Sequence, residues 1–406
     1  MQKKVVWIIN QFAGDNHSGW GERHFFLASE WANQNIETWI FSGSYTHVFK
    51  NNRSGKLKYE FSSSNGVNFC WVKVPYYKGE SIFRFYSMLV FMVRLFFLPL
   101  SKIPKPDVIC VSSMPLFPVI PSLFLKRKLK VSRFVFEVRD FWPLTPVLLG
   151  KVSPSNPIIV AMNFIQKLGF KRADCIVAVP SNPYDYIRSI IGPNNKVFHI
   201  PNGAMDSKNA SELLTDVKAQ LNIIPTNKFI VGYAGTFGVA NSLENLINAA
   251  HILSNNDRIC FVLLGDGYLK DELVIRAKGL SNIVWIDKIP KSQMPHFLSK
   301  IDVGIICWQK SKLYELGVSP NKYFDYMWAS KPIVLAGEAK EDPAEKSGCA
   351  ILAQPENPES IALAVLQAFK MKPEELAKLG RLGNEYFYKY HTFSRLAENY
   401  RHLLFP

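Results

Sequence analysis

The sequence lacks the cysteine pattern of a disulfide-bonded or zinc-binding protein. It has six cysteines and no Cys-x-x-Cys pair. Most of them lie in apolar, strand-like stretches, where cysteine behaves as a small reduced core residue. The pattern argues against a secreted disulfide scaffold and against a zinc ribbon. The cysteines are Cys70, Cys110, Cys175, Cys260, Cys307 and Cys349.

The first residues are also not expected to act as an export signal. The first residues, MQKKVVWIIN, pass from two lysines into a short apolar strand and soon reach the polar loop that begins at Gly14. A signal peptide needs a longer apolar core followed by a small-residue cleavage site. We therefore expect a cytoplasmic protein.

Acidic residues are scarce relative to basic ones. The chain has 33 Asp and Glu residues against 48 Lys and Arg residues, which gives a formal charge of +15 at pH 7. A surplus of this size favours polyanions, anionic membranes or phosphorylated small molecules as partners. No nucleic-acid partner is expected, because zinc-finger spacings, RNP-like aromatic motifs and long Lys/Arg blocks are absent. A Gly-x-Gly-x-x-Gly is absent too, which argues against an NAD site.

One long apolar stretch is present, at residues 82–100, IFRFYSMLVFMVRLFFLPL. It is long enough to span a bilayer, but Arg84 and Arg94 interrupt it, and an arginine near the bilayer centre is expensive. An interfacial helix, with immersed aromatic rings and arginines that reach lipid phosphates, fits the pattern better. The segment predicts peripheral docking on an anionic membrane surface. A helix of the protein core and a transmembrane helix are the alternatives.

Apolar, β-branched runs alternate with helical patterns along nearly the whole chain, which is typical of doubly wound α/β folds. At 406 residues the chain is too long for one ordinary core. We predict a Rossmann-like domain at 1–205, a linker at 206–227 and a second Rossmann-like domain at 228–385. A C-terminal helix at 386–406 is expected to pack back on the first domain. A ligand is expected in the cleft between the domains.

The run from Ser319 to Val334, SPNKYFDYMWASKPIV, is the most informative stretch. Ser319 can cap a helix whose first turn tolerates Pro320, so that free backbone N–H groups face an anion there. Lys322 adds a positive charge, and Asp325 follows about one turn later, where it can hold a hydroxylated ligand. An ordinary capped helix that leads into a core strand is the alternative.

A glycine turn, Gly235-Thr236, follows the first strand of the second half. Glycine lets the backbone approach a phosphate closely, and Thr236 can donate both its N–H and its hydroxyl. The next strand ends in a similar turn at Gly265-Asp266-Gly267. A plain strand-to-helix turn is the alternative in both places.

A charged cluster, FEVRDFWP, ends a predicted strand of the first half at residues 136–143. Glu137, Arg139 and Asp140 are costly to bury, so the cluster favours a cleft over the core. A structural salt bridge from Arg139 to a carboxylate is the alternative.

Together these motifs resemble the GT-B fold glycosyltransferases of the family-four type. FEVRDFWP is similar to the Glu-x-Arg-Asp-Leu-Trp-Pro segment of bacterial transferases that build O-antigen, capsule and related polysaccharides. The resemblance extends over nearly the whole chain and is sharpest at 136–143, 172–203 and 319–334. It implies an α/β protein with two Rossmann-like domains that face a cleft.

The resemblance implies a hexosyl- or N-acetylhexosaminyltransferase. It would move a sugar from a nucleoside-diphosphate sugar, with a UDP-sugar favoured, to a polyprenyl-diphosphate-linked saccharide at the inner face of the membrane. Helix N-termini and basic side chains would stabilise the leaving diphosphate, so no metal and no other cofactor are expected. Retention of the anomeric configuration is implied. A non-catalytic sugar-nucleotide or anionic-lipid binding protein and a nucleotide-sugar 2-epimerase of the same fold are the alternatives.

The resemblance also implies which residues bind the donor. Asp325 would hold the ribose, and Ile289 would lie near the nucleobase. The residues implied to cradle the diphosphate are Gly19, Gly21, Gly235, Thr236, Ser319, Pro320, Asn321 and Lys322.

Other residues are implied to act on the sugar and the acceptor. Glu22 and Arg23, in the glycine-rich loop SGWGER, would approach the sugar or the acceptor. Three residues are expected to be catalytic, by positioning the acceptor or handling a proton, and two histidines are alternatives for that role. The catalytic candidates are Glu137, Arg139 and Asp140, and the alternatives are His17 and His24.

The chain departs from the family pattern at two points. The family has a first acid eight residues before the second, and counting back from Asp325 gives Gly317, with Glu315 out of register. The turn after Gly235 also lacks the Arg and Lys that many relatives direct at the diphosphate. We expect Lys322 to supply the missing charge.

Overall fold

The chain divides into two units, each built on its own β-sheet. In the computed structural model one unit comprises Met1–Pro201 and Phe393–Pro406, and the other comprises Asn202–Thr392. The structure describes residues 3–19, 23–78, 82–150, 152–193, 196–204, 206 and 212–406. Two of the predicted site residues, Gly21 and Glu22, lie outside these described residues.

The strands form where β-branched and aromatic residues cluster, because such side chains pack well on a pleated surface. All six cysteines are buried and free, as predicted. The strands of the first unit are β1 (Lys4–Ile9), β2 (Ile36–Gly43), β3 (Tyr59–Ser64), β4 (Val67–Val72), β5 (Val108–Ser112), β6 (Arg133–Val138), β7 (Cys175–Ala178) and β8 (Val197–His199). Those of the second unit are β9 (Phe229–Thr236), β10 (Ile259–Asp266), β11 (Ile283–Ile286), β12 (Val303–Cys307), β13 (Ile333–Ala336) and β14 (Ala350–Ala353).

Helices connect most of the strands, and most of them bury one face. In the first unit they are α1 (Arg23–Asn33), α2 (Ile82–Leu95), α3 (Val119–Lys128), α4 (Leu144–Leu148), α5 (Pro157–Arg172) and α6 (Tyr184–Ile191). The second unit contains α7 (Thr215–Leu221), α8 (Leu243–Ile252), α9 (Lys270–Arg276), α10 (Met294–Leu298), α11 (Asn321–Trp328), α12 (Pro343–Ser347), α13 (Pro358–Lys370) and α14 (Pro373–Tyr390), after which α15 (Phe393–Leu404) returns to the first. Short 3₁₀ helices occupy Leu100–Lys102, Val239–Asn241, Lys291–Gln293 and Lys312–Leu316.

The first sheet has the strand order β3-β4-β2-β1-β5-β6-β7-β8 among the described residues. Its neighbouring strands are parallel, except that β3 and β4 are antiparallel. The alignment of β5 with β6 makes Ser112 the register partner of Glu137. Two polar side chains therefore meet where these parallel strands end, which is the usual position for a site in such a sheet.

Helix α15 completes the core of the first unit. It buries Phe393, Leu396 and Tyr400 at helical spacing and packs against α1. The indole Nε1 of Trp31 donates a hydrogen bond to the carbonyl oxygen of Ala397 at 2.9 Å. The end of the chain is thus a structural part of the unit that contains its beginning.

The second sheet is parallel throughout, with the order β11-β10-β9-β12-β13-β14 among the described residues. Gly235 is the register partner of Gly265 where β9 and β10 end. Helix α7 lies within the stretch predicted as a linker, and its Val217 and Leu221 are buried in the core of this unit. The second unit therefore includes residues that precede its first strand.

Helix α2 covers most of the long apolar stretch and is packed on one side only. Met88, Phe91 and Leu95 are buried, while Phe83 and Tyr86 are exposed. The helix therefore contributes to the core of the first unit and also presents an apolar surface. No helix among the described residues is long and apolar enough to cross a bilayer.

Candidate functional site

Two glycines fix the edge of the second sheet where β9 and β10 end. Gly235 and Gly265 have φ angles of +155° and +154°, in a region that side chains other than glycine rarely adopt. A Cβ on Gly265 would lie 1.9 Å from the carbonyl oxygen of Gly235. The ends of the two strands therefore approach each other through bare backbone. Thr236 follows at the exposed end of β9, and its carbonyl oxygen accepts hydrogen bonds from Tyr233 and Asn241.

Lys322 lies beside these turns and holds its ammonium group among neutral partners. Its Nζ donates a hydrogen bond to Oδ1 of Asn241 at 2.6 Å. The same atom lies 4.6 Å from the ring centre of Tyr233 and 5.1 Å from that of Trp308, which are cation–π distances. Burial lowers the pKa of Lys322 to about 7. Within the described part of the chain the structure records no ion pair for this lysine, so its charge is held without a counter-anion.

Helix α11 begins beside Lys322 without a side-chain cap. Pro320 occupies the cap position with φ −76° and ψ 148°, and no side chain accepts a hydrogen bond from the first turn. The prediction that Ser319 caps this helix is therefore wrong. The hydroxyl of Ser319 instead accepts a hydrogen bond from the backbone N–H of Asn202 at 2.9 Å, and its carbonyl oxygen accepts one from Nδ2 of Asn202 at 2.7 Å. The first backbone N–H groups of α11, at Asn321 and Lys322, have no side-chain acceptor.

Asp325 lies one turn further along α11 and is paired with a residue that the sequence patterns did not single out. Its Oδ2 lies 2.5 Å from Nζ of Lys291, and the two side chains are 12% and 39% exposed. Lys291 opens the 3₁₀ helix that follows Ile289 and Pro290. Ile289 is half-buried and packs against the core of the unit. An acidic oxygen and a partly exposed ammonium group thus stand together beside an apolar side chain.

Gly317, at the place of the family's first acid, has a backbone conformation that excludes an acid. It closes the 3₁₀ helix Lys312–Leu316 with φ +82° and ψ 170°. This region is populated almost only by glycine, and other residues are strained there by about 1–3 kcal/mol. Glu315 lies exposed in the preceding turn. The departure from the family pattern therefore has a local structural cause.

The predicted catalytic residue Glu137 is fully buried in the first unit and is surrounded by donors. Oε2 accepts a hydrogen bond from Nε of Arg23 at 2.9 Å. Oε1 lies 2.7 Å from Nε2 of His24 and 3.0 Å from the hydroxyl of Ser112. Burial alone would raise the pKa of Glu137, but the charge of Arg23 and the contact with His24 hold that pKa well below its usual range. The carboxylate is therefore ionised, and both of its oxygens have hydrogen-bond partners within the protein.

The tautomer of His24 follows from its two partners. Oδ1 of Asn10 accepts a hydrogen bond from the backbone N–H of Phe12 at 3.0 Å, so Nδ2 of Asn10 is the atom that faces Nδ1 of His24, also at 3.0 Å. Nδ1 of His24 must then be the acceptor, and its Nε2 carries the proton and donates to Glu137. Burial lowers the pKa of His24, which keeps the imidazole neutral.

Arg23 is also buried, although the sequence places it in a loop facing the sugar. Its Nη2 donates a hydrogen bond to the carbonyl oxygen of Ile200 at 2.9 Å, its Nη1 donates to that of Pro201, and its guanidinium lies 5.9 Å from the ring centre of Tyr400. Arg23 and His24 contribute to the lining of a small pocket that Arg139 and Gly14 also line. The cluster around Glu137 thus supports the wall of this pocket.

The remaining predicted residues of the first unit lie nearer to solvent. Arg139 is half-buried, and its backbone N–H donates a hydrogen bond to the hydroxyl of Ser113 at 2.9 Å. Asp140 and His17 are exposed. Gly19 has φ +72°, and a Cβ there would lie 3.0 Å from Cβ of Lys50. Of the catalytic candidates, Arg139 and Asp140 are the ones with surface available to a substrate.

The second unit matches a known protein family. Residues 228–371 match the family model described as "Glycosyl transferases group 1". WcaI of Escherichia coli (strain K12), provisionally named a colanic acid biosynthesis glycosyl transferase, is 24% identical over 275 residues, which cover 65% of this chain and 66% of WcaI. TuaH of Bacillus subtilis (strain 168), provisionally named a teichuronic acid biosynthesis glycosyltransferase, is 34% identical over 55 residues, 14% of each chain. The matches thus span less than two thirds of either relative.

Solved structures resemble the chain over nearly its whole length. Sucrose-phosphate synthase from Thermosynechococcus elongatus has a TM-score of 0.74 at 13% identity and covers 98% of both chains. Anabaena Alr3699/HepE, solved in complex with UDP and glucose, has a TM-score of 0.69 at 13% identity and covers 99% of both chains. This chain has the GT-B fold. The predicted fold class is therefore confirmed, and the family match together with the fold supports a GT-B glycosyltransferase.

Sequence reasoning missed several residues of the GT-B chain's candidate donor site. Asn241 and Tyr233 hold Lys322, and Lys291 pairs with Asp325. Lys291 is 34 residues from Asp325, and Asn241 is 81 residues from Lys322. Neither Lys291 nor Asn241 belongs to a recognisable sequence motif, so only the tertiary structure identifies these two residues.

Proposed function

We propose that this protein transfers a sugar from a nucleoside-diphosphate sugar to a lipid-linked saccharide, in the manner of family-four glycosyltransferases. The observation that carries the proposal is the ammonium group of Lys322, which is half-buried, has only neutral partners and lies beside the uncapped start of α11. A helix N-terminus and a cation together favour a phosphate group. Their position in the unit that matches glycosyl transferases supports a sugar nucleotide as the ligand.

The donor is proposed to lie along the edge of the second sheet. Its diphosphate would contact Lys322, the first N–H groups of α11, the backbone of Gly235, which carries no Cβ, and Thr236. The ribose hydroxyls would bind Asp325, and the nucleobase would lie near Ile289. UDP is favoured as the nucleotide, because one solved structure of the same fold was determined with UDP and glucose.

The chemistry proposed is loss of the nucleoside diphosphate with retention of the anomeric configuration. Negative charge develops on the leaving diphosphate, and Lys322 and the α11 amides stabilise it, so the proposal needs no metal ion. A leaving phosphate oxygen can take the proton of the acceptor hydroxyl. Arg139 and Asp140 are proposed to position the acceptor. Gly317 leaves the donor sugar without the family's first acid, so the identity of the sugar, hexosyl or N-acetylhexosaminyl, rests on other contacts.

The acceptor proposed is a polyprenyl-diphosphate-linked saccharide of a cell-surface polysaccharide such as O-antigen or capsule. Relatives named for colanic acid and teichuronic acid biosynthesis support a polysaccharide product. A lipid-linked acceptor requires the enzyme to work at a membrane surface. We propose peripheral association with the inner face through residues 82–100, where the exposed Phe83, Tyr86 and Phe97 can enter the interface.

Donor binding is tested by calorimetry with UDP. Replacing Lys322 with Ala removes a charged hydrogen-bond donor, which typically contributes about 1.5–3 kcal/mol. We expect the Lys322→Ala protein to bind UDP at least about tenfold more weakly. Lys370→Ala, at the end of α13 and away from this edge, is the matched control and should bind as the wild type does. Equal affinity in all three proteins would contradict the proposal.

Transfer is tested by incubating the protein with membrane extract and a panel of labelled nucleotide sugars. Label recovered in the lipid fraction for one donor would support the glycosyltransferase. Donor binding without transfer would favour the non-catalytic binding protein, and conversion of the donor to its epimer would favour the 2-epimerase. Either of the last two results would overturn the proposed function.

A further inference from the structure

Three neighbouring helices of the first unit expose rows of large apolar side chains. Helix α3 lies between α2 and α5 and packs against both. Among these residues Phe97 is 71% exposed and Phe164 is 67% exposed. We call this surface the aromatic face. Its exposed members are Phe83, Tyr86, Val93 and Phe97 on and after α2, Ile120 and Phe124 on α3, and Ile158, Val160 and Phe164 on α5.

The exposed apolar residues recur at helical spacing, so they form continuous stripes along the helices and are not isolated exposed residues. Ile120 and Phe124 are four residues apart, as are Val160 and Phe164, which places each pair on one side of its helix. The opposite sides are buried in the unit. The buried residues are Met88, Phe91 and Leu95 of α2, Val119, Ser122 and Leu125 of α3, and Ile159, Met162 and Ile165 of α5.

The charge on these helices has one sign. By sequence, α2, α3 and α5 contain basic residues and no Asp or Glu. Four of the basic residues have partners within the protein: Arg84 lies over the Phe12 ring, Arg94 donates to the Lys73 carbonyl, Lys126 pairs with Asp174, and the exposed Lys128 lies over the Phe124 ring. The basic residues that remain exposed on α3, on α5 and directly after α2 are Lys102, Lys105, Arg127, Lys128, Lys167, Lys171 and Arg172.

Helices α13 and α14 of the second unit differ from these helices in charge. Helix α14 mixes acidic and basic residues, with Glu374, Glu375 and Glu385 beside Lys378 and Arg381. Leu363 of α13 is as exposed as Phe164, at 67%, but α13 carries Glu359 as well as Lys370. Such mixed charge is ordinary for a solvated helix. The aromatic face combines exposed rings with charge of a single sign, which is unusual for a surface in contact with water alone.

We infer that the aromatic face binds an anionic lipid bilayer, and that α3 and α5 belong to the docking surface together with residues 82–100. Apolar side chains of the three helices would enter the interface while the exposed lysines and arginines reach lipid phosphates. A surface without acids across three helices complements a uniformly anionic plane better than it complements a protein, whose surface mixes both signs. The inference rests on the proposed function in one respect, that a lipid-linked acceptor brings the enzyme to the membrane.

The test is sedimentation of the purified full-length protein with vesicles that contain neither donor nor acceptor. One vesicle set is pure phosphatidylcholine, and the other contains phosphatidylglycerol as well. Variants on each helix are compared: Phe97→Ser after α2, Arg127→Glu with Lys128→Glu on α3, and Phe164→Ser or Lys167→Glu with Lys171→Glu on α5. Leu363→Ser and Lys378→Glu with Arg381→Glu are the matched controls in the second unit. Thermal unfolding of each variant verifies that it is folded.

We expect the wild type and the controls to sediment with the phosphatidylglycerol vesicles and not with phosphatidylcholine alone. The α3 and α5 charge reversals should each lower the partition coefficient by at least about tenfold, since each basic residue near an anionic surface contributes measurably. Binding that is lost only in Phe97→Ser would overturn the role of α3 and α5. Failure of the wild type to bind the phosphatidylglycerol vesicles would overturn the proposal. Self-association of the wild type that the face variants abolish would also overturn it, and would identify the face as a protein interface. Because no substrate is present, these results do not depend on glycosyl transfer.

Discussion

Two charged side chains, the half-buried Lys322 and the fully buried Glu137, are in opposite situations. Glu137 accepts hydrogen bonds from Arg23, His24 and Ser112, so its negative charge is compensated within the protein. Lys322 has an amide oxygen and two ring faces around it. An uncompensated buried charge is costly, and the cost is recovered when an anion binds. Lys322 is therefore the one of the two that we propose as a ligand-binding residue, whereas the contacts of Glu137 fit the support of Arg23 and His24.

The pKa of Lys322 gives donor binding a definite pH dependence. Burial places that pKa at about 7, and a bound diphosphate would raise it. Binding therefore takes up a proton above pH 7 and none well below it, so affinity is greatest in acid and falls as pH rises past 7. We expect UDP affinity to fall by up to about tenfold between pH 7 and pH 8, as measured by calorimetry.

Lys322→Arg is the control for this pH dependence. Arginine keeps its proton throughout this range, so the variant should lose the part of the slope that comes from Lys322. Any slope that remains belongs to the nucleotide itself. An identical slope in the two proteins would mean that Lys322 does not titrate at the site.

At the scale of elements, the junction of β9 with β10 depends on glycine. In Gly265→Ala the new Cβ would lie 1.9 Å from the Gly235 carbonyl oxygen, in addition to the strain of a φ of +154°. Backbone strain alone amounts to about 1–3 kcal/mol, and the clash must also push the strand ends apart. We expect the variant to lose stability in urea unfolding and to bind UDP more weakly.

Gly279→Ala separates strain from the clash. Gly279 has φ +89°, and nothing lies within 4 Å of a Cβ built there. This variant should lose stability by backbone strain alone and should bind UDP as the wild type does. If Gly265→Ala behaves like Gly279→Ala, the close approach of the two turns has no part in donor binding.

The strands of both sheets could be predicted because they are buried apolar runs, but β3 could not be predicted in this way. Its sequence, YEFSSS, is polar and half-exposed at the edge of the sheet. A signal was nevertheless present, since Asn65 and Gly66 have φ angles of +49° and +75°, and Asn-Gly between two strands is typical of a hairpin.

Helix α14 is not evident from the sequence, because glycines weaken its helical pattern. A Cβ on Gly380 would lie 2.0 Å from the carbonyl oxygen of Ser330, so this glycine serves close packing. The site was predictable to a similar extent. Lys322 and Asp325 follow from one local run, whereas the partners Asn241 and Lys291 come from distant segments that share no pattern with it.

At the scale of the whole molecule, the two proposed activities lie on different units. The candidate donor site is built from β9, β10 and α11 of the second unit, and the aromatic face belongs to α2, α3 and α5 of the first. On these two proposals the charge of +15 would serve two kinds of anion, a diphosphate at the half-buried Lys322 and lipid phosphates at many exposed residues. Changes at one place should leave the other intact.

The α3 variant Arg127→Glu with Lys128→Glu tests this separation. We expect its affinity for UDP to equal that of the wild type, because no residue of the donor site is changed. Transfer to an acceptor embedded in phosphatidylglycerol vesicles should fall at least about tenfold with the loss of membrane attraction. Transfer to the same acceptor dispersed in neutral detergent should be unaffected, since no anionic plane is then involved. An equal loss in detergent would mean that α3 acts on the reaction itself and not on attachment to the membrane.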